Sequence, residues 1–268
     1  MIAEKLKDQS MKKTRLALAL AGWFALPLMA RAQFAGTVIS CNFGTGFAAG
    51  FTNANAALGA PASGGAVTPF APPFSKSQLV SIGAGGQITL ELDTPLAHDP
   101  THPYGIDFNI FANEFFTSSG GNVSGLFFHS SSTLVQVSPD GSDWFTLNPS
   151  LAPQAGELFP TDGSGNPSIP VDPSLTLASF TGDNLAGIRS LYNGSAGGAG
   201  YNLAWAQDAD GNSVALTGVD FIRLEVAGGV VDLDAISAVP EPGAWALLLT
   251  GLAPLCWRRR AAKKFQSQ

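Results

Sequence analysis

Val135-Gln136-Val137-Ser138-Pro139-Asp140-Gly141-Ser142-Asp143-Trp144-Phe145-Thr146-Leu147 reads as a β-hairpin. Val135 and Val137 alternate with polar neighbours, the period of a strand with one buried face. Pro139 presets φ for a turn and Gly141 tolerates positive φ. Trp144 is expected to return into the second strand and pack across the pair. The same alternation recurs outward along the chain, in residues 87–93 (Ile88, Leu90, Leu92), 105–111 and 220–226. Residues 79–82 read as a further strand, with Gly83-Ala84-Gly85-Gly86 as the turn after it.

Short strands between Gly, Pro, Asn and Asp turns, with no amphipathic helix outside the two chain ends, predict an all-β fold, an antiparallel β-sandwich. The sandwich body is expected over residues 78–238. Residues 33–77 read as its loop-rich N-terminal part, and residues 148–201 as a loop-rich insertion without periodic signals.

The Ser138-x-Asp140-Gly141-x-x-Trp144 pattern resembles a hairpin common in galactose-binding-like jelly rolls, which implies a jelly-roll-like sandwich but no binding site. A wider resemblance runs through Gly86 to Leu90, Asp107 to Phe115, the hairpin and Val231-Asp232-Leu233-Asp234-Ala235-Ile236, in that order. It is to exported bacterial surface proteins of largely unassigned function, and it brings no catalytic residues with it.

Both ends carry export chemistry. Lys12, Lys13 and Arg15 precede an apolar core from Leu16 to Met29, and Ala30-Arg31-Ala32 fits the small-x-small cleavage rule. Residues 1–32 are therefore expected to be a signal peptide helix, with Gln33 as the new N-terminus and Met11 as an alternative start. Val38-Ile39-Ser40-Cys41 fits a loose lipobox, but Arg31 and Gln33 separate it from the apolar core. At the other end, Val239-Pro240-Glu241-Pro242 precedes an apolar run to Trp257, and Arg258-Arg259-Arg260 with Lys263 and Lys264 follow. That order reads as a transmembrane helix with a positive stop. The fifteen residues from Gly243 to Trp257 reach roughly 22 Å as a helix, short of a hydrocarbon core of about 30 Å. Residues 239–264 resemble the PEP-CTERM sorting signal. The resemblance implies removal of the tail by an exosortase-type membrane protease and release to the cell surface or matrix; a retained anchor is the alternative.

With both ends set aside, Lys76, Arg189 and Arg223 stand against seventeen Asp and Glu, a net charge near −14. That field repels nucleic acid and favours cations or neutral partners. Cys41 and Cys256 lie in different parts, so no disulfide can staple the body.

Asp107, Asn109, Glu114, Asp232 and Asp234 are oxygen donors of the kind Ca²⁺ prefers, on strands the fold could bring together. His98, His102 and His129 lack zinc spacing and read as solvated loop residues. Residues 207–212 resemble half a Ca²⁺ loop but lack its closing Glu, so a tight turn is expected. Trp144, Tyr201 and Trp205, with Tyr104, could stack on sugars if exposed, or else fill the core. No Gly-x-Ser-x-Gly elbow or phosphate-cradling loop occurs. The expected function is an exported, non-catalytic structural or adhesive protein linked to exopolysaccharide or biofilm. A Ca²⁺-stabilised carbohydrate-binding module is the alternative, and a secreted glycoside hydrolase the third.

Overall fold

β11, Gly218–Ala238, is a 21-residue strand around which the whole body is arranged. The structure, a computed structural model, describes residues 33–129, 131–157 and 159–240. Before β11 come β1 (Ala35–Asn42), β2 (Val80–Gly83), β3 (Gly86–Ala97), β4 (Phe108–Ala112), β5 (Phe115–Ser119) and β6 (Asn122–Phe127). They are followed by β7 (Ser131–Ser138), β8 (Phe145–Leu147), two short helices, α1 (Leu177–Phe180) and α2 (Leu185–Tyr192), and then β9 (Ala199–Tyr201) and β10 (Ala206–Gln207).

The first half of β11, to Gly229, pairs antiparallel with β3 on one side and β7 on the other. Its second half, from Val230, pairs with β2 and β4. One sheet thus runs β1-β3-β11-β7-β8-β10, the other β2-β11-β4-β9, and the two share β11. The strand changes sheet at Gly228-Gly229, where the pairing with β7 slips and Gly229 takes φ 74°. A residue with a Cβ would be strained there. Bending one strand through a bulge is how two packed sheets come to share a corner.

Alternation does the rest. Ile88, Leu90, Val135, Val137, Ile222, Leu224 and Val226 of the first sheet meet Val80, Ile82, Phe108, Ile110, Val231, Leu233 and Ile236 of the second in one buried cluster. Burying each such side chain contributes roughly 1.5–3 kcal/mol. The antiparallel sandwich and the hairpin of β7 with β8, Gln136 opposite Thr146, are as the sequence predicts.

Three readings need correction. Gly83 to Gly86 is not a hairpin turn. β2 and β3 run one after the other along the same partner, β11, joined by Ala84-Gly85, with Ala84 bridged to Thr45. Gly83 is glycine because the chain at Thr45 crosses directly over it, leaving no room for a Cβ. Residues 33–77 are loop-rich apart from β1, an edge strand along β3, and one short turn of helix.

The stretch 148–201 is loop-rich, but it carries α1, α2 and β9 and is packed. Phe159, Val171, Phe180, Ile188 and Tyr192 pack with Phe116 and Val123 of the β5–β6 hairpin into a second apolar cluster. Asn184 caps α2 by accepting from the Ala186 and Gly187 amides, and Ile188 and Tyr192, one turn apart, face this core. Lastly, Trp144 precedes β8 rather than lying in it. Its ring carries the Arg223 guanidinium at 3.6 Å.

The body's ends meet. Phe34 bridges Ser237, and the Ala238 amide donates to the Gln33 carbonyl at 2.9 Å. Val239 is 4% exposed and donates its amide to Asp107. Ala30, Ala32, Glu241, Pro242, Arg258, Arg259 and Arg260, with the expected signal peptide and C-terminal helices, lie outside the described residues. Among the described residues no helix is long and apolar enough to cross a membrane.

Candidate functional site

The second sheet has a polar outer face. Along β11, Val231, Leu233, Ile236 and Ala238 belong to the sandwich core. Asp232, Asp234 and Ser237 are equally buried but stand outside that apolar cluster. The register slips between Leu233 and Ala235, so Asp234 is the extra residue of a bulge against β4. Asn109 of β4 pairs with Ser237, and Ser81 of β2 with Asp232. This face is roofed rather than open. The Ala62 amide donates to both Asp234 oxygens, at 3.2 and 2.9 Å, and the Asn109 amide donates to the Pro167 carbonyl at 3.1 Å.

Glu114 sits between β4 and β5, 2% exposed. Burial, seconded by the nearby Asp234 carboxylate, pushes its carboxyl up to about 8. Asp234 is pushed up to about 7 by burial, against which the Ala62 hydrogen bond pulls. Glu114 Oε2 and Asp232 Oδ1 are buried and have no hydrogen-bond partner among the described residues. Glu114, Asp232, His129 and Asn113, with Ala155, Gly156 and Val230, line one recess of about 10 Å³. That is room for a single water or ion, far less than a sugar ring.

The five expected metal ligands are therefore not one set. Glu114, Asp232 and Asp234 gather at the recess and beside it, while Asn109 is held by the roof. Asp107 belongs to a different construction at the start of β4, where it is fully buried and satisfied. Its Oδ1 lies 2.9 Å from His102 Nδ1 and its Oδ2 3.0 Å from His98 Nδ1; the Asp99 and Leu203 amides donate to the same carboxylate. Asp107 clamps three segments and has nothing left to offer a cation. Among the described residues no group of three His, Cys, Asp or Glu is placed to hold a metal.

The histidines are the residues the sequence reading missed. His102 is 3% exposed rather than solvated, and His129 sets Nε2 3.5 Å from Asp232 Oδ2 at the rim of the recess. The usable signal was an anionic body with few cations, in which each imidazole is a scarce donor for a buried carboxylate.

The stacking residues are also reassigned. Tyr201 is fully buried, stacked on Phe108 with centroids 5.2 Å apart, and donates its hydroxyl to the Pro153 carbonyl. One face of Trp144 is taken by Arg223, and Trp205 is half-buried against the core. The exposed aromatics include Tyr104, Phe127 and Phe128 instead, with Phe127 edge-on to His129 at 5.8 Å. Asp208 accepts from the Asp210 and Asn212 amides, the tight turn expected of residues 207–212. Comparison with protein-family models gives no match, and comparison with curated proteins gives none either.

Proposed function

We propose that the chain is an exported, non-catalytic surface or matrix protein. In this reading signal peptidase frees it at Ala32, an exosortase-type membrane protease acts on the PEP-CTERM-like tail after a transient stay in the inner membrane, and the body serves a structural or adhesive role in exopolysaccharide or biofilm. One observation supports it above the others: the described chain folds as one compact unit whose two ends meet, the Ala238 amide donating to the Gln33 carbonyl. Those ends adjoin the two cleavage signals read independently from the sequence, at Ala30-Arg31-Ala32 and Val239-Pro240-Glu241-Pro242. A net charge near −14 over the body favours neutral polysaccharide over anionic partners.

The buried Val239 sharpens the expected cut. With its amide donated to the Asp107 carbonyl and its side chain covered, Val239 is held in the fold, so the expected cut lies beyond it. Mass spectrometry of the protein released by its native host should find Gln33 at the start and an end between Pro240 and Pro242, with Trp245 absent. Full-length chain persisting in the inner membrane would overturn the reading. Co-sedimentation of the released protein with the host's neutral polysaccharide tests the adhesive part.

A further inference from the structure

We propose that the recess between Glu114 and Asp232 is a calcium site. Two carboxylate oxygens, Glu114 Oε2 and Asp232 Oδ1, are buried and unpartnered among the described residues, and both residues line the same small cavity. Glu114 is 2% exposed and Asp232 6%. A buried acceptor without a donor is rare in a folded protein and marks a place for water or an ion. A water would give each oxygen a hydrogen bond; a cation would in addition neutralise the two carboxylates it binds. In a body with seventeen carboxylates and three Lys or Arg residues, neighbouring side chains supply little compensation.

The volume, about 10 Å³, fits one ion. Gly156, at φ 83°, brings the chain up against Glu114 Oε2, where a Cβ would sit 3.8 Å away. The donor set selects the ion. Ca²⁺ takes six to eight oxygens, of which main-chain carbonyls and waters supply several, so two carboxylates suffice. A zinc-type site needs three or four close side chains, and among the described residues no such group is placed to form one. His129 Nε2 is turned toward the other Asp232 oxygen, at 3.5 Å. There it steadies the carboxylate from the rim, leaving Oδ1 for the ion.

The full chain in mild detergent, stripped with EDTA and then given Ca²⁺ alone, tests the site by thermal unfolding and by titration calorimetry. Wild-type protein should bind one Ca²⁺ and gain about 5 °C or more in Tm at saturation. Asp232→Asn and Glu114→Gln should lose that gain, while Asp143→Asn, at an exposed turn, keeps it. Should the carboxyl variants fold poorly, wild-type calorimetry still decides. No heat and no change in Tm with Ca²⁺ overturn the proposal. So does an equal gain in Asp232→Asn, or a gain with Zn²⁺ only that His129→Ala removes. None of these outcomes touches the processing of the two ends, which is read out separately.

Discussion

Glu114→Gln should make the protein more stable in alkali than the wild type, and the gain should fade toward acid. In the fold the carboxyl is held near 8, against 4.5 when free, chiefly because burial disfavours its charged form. Below about pH 4.5 both folded and unfolded chains carry the proton, and the residue adds no pH-dependent cost. Between 4.5 and 8 the unfolded chain releases a proton that the folded chain keeps, so stability falls as pH rises. Above 8 the cost levels off. At about 1.4 kcal/mol per pH unit, the gap from 4.5 to 8 sets a ceiling of about 5 kcal/mol.

Water entry and a compact unfolded state lower that figure, so a difference of about 2–4 kcal/mol between pH 5 and pH 9 is expected. Glutamine keeps the shape and cannot ionise. The new amide hydrogens need partners, but that cost is the same at every pH and does not alter the slope. Equilibrium urea unfolding of the full chain in mild detergent with EDTA, followed by near-ultraviolet circular dichroism from pH 5 to 9, measures the difference directly. Titrating groups distant from Glu114 are common to both proteins and cancel, and the coupling to Asp234 adds to the slope in the same direction. Parallel stability curves would refute the assignment of Glu114 as a buried, raised acid.

Two further outcomes follow from the geometry. Asp107→Asn should cost about 3–5 kcal/mol in urea unfolding near neutral pH, because two imidazoles and two amides lose a carboxylate acceptor. A loss below about 1 kcal/mol would mean the clamp does not form. Arg223 over Trp144 should show a coupling energy of about 0.5–2 kcal/mol in a double-mutant cycle of Arg223→Ala and Trp144→Ala; additive losses would deny the contact.

The sandwich itself was legible because its strands obey a two-residue period: Ile88, Leu90, Val135, Val137, Ile222 and Leu224 all lie in the core where alternation puts them. What escaped was set by tertiary pairing. Gly83 to Gly86 has the composition of a turn, and only the shared partner β11 shows that the chain runs straight on. Residues 148–201 hide their helices because α1 and α2 span four and eight residues, too short for a helical period to accumulate. At the candidate site, Glu114, Asp232 and Asp234 were identifiable as oxygen donors, but Asp107 was not separable from them. Its histidine partners lie only five and nine residues upstream, and nothing in that spacing reveals that His102 is buried.

The position of β11 at the end of the chain has a consequence for timing. A polypeptide that leaves a ribosome or a membrane pore N-terminus first presents β1, β2, β3, β4 and β7 long before the strand that β2, β3, β4 and β7 all pair with. The first sheet cannot close until Gly229 has emerged, nor the second until Ala238 has, and pairing of such distant segments is slow in any case. The chain therefore stays threadable for almost its whole length and locks shut in one late step. That step completes at Ala238, directly before the Val239-Pro240-Glu241-Pro242 stretch.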